Sequence, residues 1–183
     1  ETPANKNQVT TWALFTPESA KLWSKSSTYL HDAIYYYSLW NGDYPYDQVT
    51  AVDGTISAGG GMEYPNVTVI GSSGNERTLE TVIMHEVGHT LGLRHNFRAS
   101  SAYDLKLLQD PEFTKVNGMS SSIMDYIPFN LSPKGEPQGE FMMSTIGPYD
   151  YWAVEFGYKE FADGQEASGL SQILSRAAES QHL

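Results

Sequence analysis

Residues 85–95 read His85-Glu-Val-Gly-His-Thr-Leu-Gly-Leu-Arg-His95. This stretch contains three of the five histidines in a chain of 183 residues. His85 and His89 are four residues apart, so on a helix their imidazoles lie on the same face, one turn apart. The spacing therefore predicts that these two side chains act together.

A helix over residues 76–91 is predicted from the sequence around these histidines. Ser72–Asn75 offers an N-cap, and Glu76 lies in the first turn, where a negative charge is favourable. Gly92 can adopt the left-handed conformation that ends a helix and turns the chain back. An apolar i, i+4 stripe predicts the buried face of this helix: Leu79, Ile83, Val87 and Leu91.

The three histidines have the spacing of a zinc site. Two neutral imidazoles leave a tetrahedral zinc ion short of protein ligands, and the turn at Gly92 presents His95 as the candidate third ligand. The fourth position then stays open for water. Glu86 points about 100° around the helix from His85, which suits a general base that takes a proton from the attacking water. A purely structural zinc site, usually closed by four protein ligands, is the alternative.

The pattern H-E-x-x-H-x-x-G-x-x-H is that of the metzincin metallopeptidases, and Ser121-Ser-Ile-Met-Asp-Tyr126 resembles their Met-turn. The resemblance implies that Met124 forms an apolar floor beneath the three imidazoles. It also implies that the phenol of Tyr126 acts near the metal. Taken alone, Met124 could be a core methionine and Tyr126 a hydrogen-bonded core tyrosine.

Two further stretches extend this resemblance to about residues 76–160. Arg94-His-Asn-Phe-Arg98 and Pro148-Tyr-Asp-Tyr-Trp152 are similar to segments of a bacterial zinc-peptidase group within the same clan. The resemblance implies the fold class: α+β, a metzincin-like zincin domain. Its parts would be a mixed sheet with a backing helix, an active-site helix, and a lower subdomain with the Met-turn and a closing helix.

The segment Gly60-Gly-Met-Glu-Tyr-Pro65 resembles a different group, the G-x-M-E-N region of thermolysin-like zinc aminopeptidases. In that resemblance Glu63 would bind the free α-amino group of the substrate. That clan takes its third ligand from a Glu nineteen residues after the second histidine, but position 108 is Leu, so His95 remains the expected ligand. Glu63 could instead be a solvated charge on a strand.

Composition sets broad limits on the remaining properties. The chain is 40% hydrophobic and carries a formal net charge of −11, which suits one catalytic domain and makes nucleic acid and anionic membranes poor partners. No cysteine is present, and no apolar run approaches the length that spans a membrane. Because the chain starts at Glu1, we expect that an upstream segment was removed, with an extracellular or periplasmic location.

The domain organisation follows from local patterns along the chain. We expect a catalytic domain over residues 1–160, with an upper subdomain at 1–95 and a lower one at 96–160, and a tail or linker at 161–183. The predicted elements besides the zinc helix are a long helix at 17–40, strands at 48–52 and 64–70, a short helix near 103–109, a closing helix at 148–158 and a modest helix near 170–178.

The sequence thus predicts a monomeric zinc metalloendopeptidase that acts on peptides or proteins. A substrate would extend along an edge strand near residues 64–70. Two alternatives stay open: an aminopeptidase that uses Glu63, and a zinc-stabilised binding domain without turnover. His31 and His182 are expected to be surface or packing residues. No calcium site is predicted, because the loop spacing of oxygen ligands is missing.

Overall fold

A computed structural model describes residues 8–41, 43–54, 56, 60–71 and 73–177, without the side chains of residues 39–41. The chain forms two compact units, Glu1–Gly92 and Leu93–Leu183. The first unit holds all the strands of the described residues, and the second holds helices and long connecting segments.

The first unit is built on a four-stranded mixed sheet with the strand order β1-β2-β4-β3. Parallel pairing joins β1 to β2 and β2 to β4, whereas β3 is antiparallel to β4. Helices pack against all four strands, so the unit is α+β. The strands are β1 (Thr10–Leu14), β2 (Gln48–Asp53), β3 (Gly61–Tyr64) and β4 (Val67–Ile70).

The predicted single strand over residues 64–70 is wrong, because the chain reverses direction within it. Pro65 and Asn66 form a two-residue turn, and Asn66 has φ 56°, a left-handed conformation that asparagine tolerates well. The turn places β4 between β2 and β3, where both of its edges are paired. The edges of the sheet are therefore β1, which the sequence did not predict, and β3.

The predicted long helix at residues 17–40 is interrupted. A 3₁₀ turn at Pro17–Ser19 leads into α1 (Ala20–Trp23), and α2 (Ser26–Asn41) begins after a break. The break falls in a serine-rich stretch of weak helix formers. It allows Trp23 to be buried, 1% exposed, with its ring 6.2 Å from that of Phe15.

Helix α3 (Glu76–Thr90) matches the prediction closely. The side chain of Asn75 accepts a hydrogen bond from the Thr78 amide, and Gly92 follows the helix with φ 83°. The whole predicted stripe is buried: Leu79, Ile83 and Val87 are 0% exposed and Leu91 is 6% exposed. At its first turn, Glu76 accepts hydrogen bonds from Lys25 and Tyr29 near the start of α2.

The second unit contains four α-helices and a 3₁₀ turn at Ala99–Ser101 among its described residues, and its closing helix α6 confirms the prediction over 148–158. Helix α5 was not predicted, although Asp110 caps it by accepting from the amides of Glu112 and Phe113. Helix α7 packs on α6, where the Trp152 indole donates to the Ile173 carbonyl at 3.0 Å. The helices are α4 (Leu105–Leu108), α5 (Pro111–Asn117), α6 (Pro148–Tyr158) and α7 (Glu166–Ser175).

The edge strand β3 lies directly against α3, and a glycine makes this approach possible. A Cβ atom at Gly61 would overlap the carboxylate of Glu86. The backbone of β3 can therefore contact this side chain only because residue 61 has none of its own.

Replacing Gly61 by Ala tests this close approach. We expect the added methyl group to displace Glu86 or β3 and to lower the free energy of unfolding by about 1–3 kcal/mol, as overpacking does. Gly74→Ala is the control, because a Cβ there meets no atom of the described residues within 4 Å. Urea unfolding of both variants measures the difference, and equal stability of the two would contradict the contact.

Candidate functional site

His85 and His89 point toward the same place from the side of α3 opposite its apolar stripe. Their Nε2 atoms are 3.1 Å apart, and the rings meet edge to face with centroids 4.8 Å apart. His85 is buried and His89 is half-buried. The helix therefore holds two imidazole nitrogens close together without burying them completely.

This separation fits two ligands of one metal ion. Two nitrogens bound to a tetrahedral zinc at about 2.0–2.1 Å lie about 3.3 Å from each other. The distance between the two Nε2 atoms is close to that value. Imidazole is also a ligand that zinc prefers, so both the geometry and the donor type of this pair suit the ion.

Glu86 is a buried carboxylate beside this pair. It is 4% exposed, and its Oε2 atom has no hydrogen-bond partner among the described residues. Burial raises the pKa of Glu86 to about 7, and the charge of Glu63 adds to this effect. A buried carboxyl group with an unused oxygen is suited to exchanging a proton with a bound molecule.

Glu63 lies on the exposed edge strand β3 and faces the same region. Its carboxylate, the carboxylate of Glu86 and an imidazole nitrogen of His89 lie within 4.8 Å of one another. Glu63 is exposed, so it is a solvated charge, but it is also close to two of the predicted site residues. The first unit thus brings His85, His89, Glu86 and Glu63 together.

The other predicted residues belong to the second unit. His95 is exposed, and its ring centroid lies 4.4 Å from that of Tyr126. The ring of Phe97 lies 5.6 Å from His95 and 5.7 Å from Tyr126. Tyr126 is 64% exposed, so it is not the core tyrosine that the sequence left as an alternative.

Met124 is completely buried within a segment whose residues 121–125 are all buried. Its carbonyl accepts a hydrogen bond from the amide of Asn96 at 3.0 Å, directly after His95 in the chain. The Asp125 carboxylate accepts from the Ser100 amide at 2.8 Å. The segment that resembles a Met-turn is therefore bonded to the residues that follow His95.

Two of the five histidines, His31 and His182, lie outside the H-E-x-x-H-x-x-G-x-x-H pattern. His31 is exposed on α2 beside Asp32, as predicted for a surface histidine, and His182 lies outside the described residues. Two residues without a predicted role contact the site residues or their neighbours. Gly61 lies against Glu86, and Asp150 accepts from the amide of Ile123, next to Met124. Gly61 ends a run of three glycines between two β-branched segments, and glycine next to a strand permits close backbone approach, so the sequence contained a clue to the Gly61 contact but not to its partner.

Comparison with known proteins adds a family. The family model described as Met-zincin matches residues 73–183, which include α3, His95 and the Met124 segment. No curated protein and no solved structure matches the chain. Within the described residues, no helix has the length and apolarity needed to cross a membrane.

The N-terminal resemblance to thermolysin-like aminopeptidases lies outside the matched residues. The mixed sheet and the helix with two converging histidines are consistent with the α+β fold of the family that matches residues 73–183. The chain belongs to the Met-zincin family, with an α+β fold of the metzincin type and the zinc-dependent peptidase chemistry that this family implies in general.

Proposed function

We propose that this chain hydrolyses peptide bonds with one zinc ion held by His85, His89 and His95. The observation that carries the proposal is the 3.1 Å separation of the His85 and His89 Nε2 atoms beside the buried carboxylate of Glu86. His95 is the third ligand by its position in the H-E-x-x-H-x-x-G-x-x-H pattern. Zinc, when bound, polarises the scissile carbonyl and lowers the pKa of water.

Glu86 acts as the general base in this proposal. Its unpartnered Oε2 accepts the proton of the attacking water, and the resulting carboxylic acid then donates it to the leaving amine. The side chain of Glu86 lies against the backbone of Gly61, which limits the movement of its carboxyl group on that side. A fixed base loses little freedom when the reaction proceeds.

The substrate binds along β3. This strand is an edge of the sheet, so a peptide in extended conformation can add to it through main-chain hydrogen bonds. The stretch 64–70 expected from the sequence cannot supply this edge, because β4 is paired on both sides. Gly61 belongs to β3 and contacts Glu86, so a peptide on this edge has its backbone near the base. Main-chain recognition of this kind suits a range of side chains.

Tyr126 donates a hydrogen bond to the oxyanion that forms on the substrate carbonyl. Its position supports this role, because the side chain is largely exposed and its ring lies beside His95.

An aminopeptidase is the second candidate, and the position of Glu63 favours it. An α-ammonium group between Glu63 and Glu86 would relieve the repulsion between two carboxylates that lie within 4.8 Å of each other and of His89. A zinc-stabilised binding domain is the third candidate, and it predicts metal binding without cleavage of any peptide.

Substitutions of Glu86 and His95 separate the base from the ligands. Glu86→Gln keeps the size of the side chain but cannot accept a proton, so cleavage of a peptide library should fall by about 10²- to 10⁴-fold while zinc stays bound. His95→Ala should lose zinc, whereas His31→Ala should keep it. Elemental analysis measures the zinc content of each variant, and mass spectrometry of the digested library measures its cleavage.

A parent chain that holds zinc but cleaves nothing would favour the binding domain over the enzyme. If His95→Ala binds as much zinc as the parent, His95 is not a zinc ligand.

Tyr126→Phe removes only the phenolic hydroxyl. We expect kcat and kcat/KM to fall together by about 10²- to 10³-fold, the effect of one lost oxyanion donor. The melting temperature should hardly change, because the side chain is exposed. Steady-state kinetics and thermal unfolding on one preparation check this, and unchanged kcat would exclude the role.

Glu63→Gln distinguishes the two peptidase types. In an aminopeptidase the variant should lose activity on free peptides, because the neutral amide attracts an ammonium group less strongly. N-acetylated peptides should then resist both proteins. Cleavage of acetylated peptides by the parent, at a rate that Glu63→Gln leaves unchanged, would identify an endopeptidase.

A further inference from the structure

Asp150 is a buried carboxylate that the proposed chemistry does not use. It lies in the first turn of α6 and is 0% exposed. It accepts three hydrogen bonds, from the Ser122 hydroxyl at 2.5 Å and from the amides of Ile123 and Gly147 at 2.7 and 2.8 Å. Burial raises the pKa of Asp150 to about 6 against these bonds, so at neutral pH the group is ionised and only accepts.

Only one of these three hydrogen bonds, that from the Gly147 amide, is part of the N-terminal cap of α6. The Gly147 amide belongs to the cap of α6, whereas the other two donors belong to the segment around Met124. This capping bond alone would not require a fully buried charge, since a neutral glutamine at the third helical position can also accept from the N-cap amide. Burying a carboxylate is costly unless several donors compensate, and here two of them lie outside the helix.

The hydrogen bonds continue from Asp150 to the residue after His95. The Ser122 hydroxyl oxygen, which donates to Asp150, accepts from the Met124 amide at 3.0 Å. The Met124 carbonyl accepts from the Asn96 amide at 3.0 Å. An unbroken chain of bonds thus leads from a buried charge to the backbone beside His95.

We propose that Asp150 is a positioning residue that, through Ser122 and Met124, fixes the backbone next to His95 and so orients its imidazole toward zinc. This inference rests on the proposed function, which makes His95 a ligand. Groups behind a metal ligand typically change metal affinity or activity by about 10- to 100-fold when they are removed.

Ser122→Ala breaks this chain at one hydroxyl, and Thr114→Val provides a matched control. Thr114 is equally buried. Its hydroxyl donates to the Asp110 carbonyl at 2.9 Å, with the Pro111 carbonyl farther away at 3.5 Å, and accepts from the Glu140 amide. Each substitution therefore removes one buried hydroxyl that both donates and accepts. Asp150→Asn, which disturbs the same network from its other end, is the second test variant.

The full chain is titrated with zinc in competition with a chelator, and amide exchange at Asn96 is followed in the zinc-free protein. We expect Ser122→Ala and Asp150→Asn to bind zinc about 10-fold more weakly and to exchange the Asn96 amide faster. Thr114→Val should lower the melting temperature about as much as Ser122→Ala does. It should keep the parental zinc affinity and the parental exchange rate of the Asn96 amide.

Parental zinc affinity in both test variants would overturn the proposal and leave Asp150 a purely stabilising role. An equal loss of affinity in Thr114→Val would overturn it as well, since general destabilisation would then be the cause. The zinc content of the parent tests the proposed function separately. If the parent binds zinc but cleaves no peptide, the comparison of variants still decides the role of Asp150.

Discussion

Helix α3 has to bury side chains on two opposite faces, and the organisation of the first unit depends on this constraint. One face carries an apolar stripe with residues that are 0% exposed, and each such residue contributes about 1.5–3 kcal/mol on burial. The other face buries His85 and Glu86, which are 8% and 4% exposed and are costly to remove from water. The apolar stripe therefore holds the helix in a place where its polar face is poorly solvated, and this environment gives Glu86 its raised pKa.

The elements that local patterns specify could be predicted from the sequence. Helix α3 has a capping residue, a regular stripe and a terminating glycine, and the structure has all three. The turn at Pro65–Asn66 was equally local, and its dipeptide is typical of a reversal. The β-branched residues that follow it were nevertheless predicted to form one strand with Tyr64. Strand β1 is short and lies at an edge of the sheet, and Trp12 and Leu14 are each 51% exposed. It therefore has no alternation of buried apolar residues from which a strand could be predicted.

The parts of the site that depend on distant partners could not be predicted. The spacing of His85 and His89 gave their convergence, because both belong to one helix. The contact of Gly61 with Glu86 joins two elements, and the glycine that permits the close approach does not indicate which element it meets. Ser122 is separated from Asp150 by 28 positions, so no local pattern connects the two residues. A run of serines by itself is typical of a solvated loop, and only the structure shows that Asp150 is the buried acceptor of Ser122. The exposure of Tyr126 likewise follows from packing that the sequence does not reveal.

The two-residue turn between β3 and β4 has a consequence for the order of folding. A hairpin closed by so short a turn forms in about 1–10 μs, and α3 follows soon after it in the chain. The parallel pairing of β1 with β2 has to wait until the long connection through α2 is closed, which is slower because more chain entropy is lost first. We therefore expect the edge that carries Gly61 and Glu63 to form early, and the far side of the sheet to limit the folding rate of this unit.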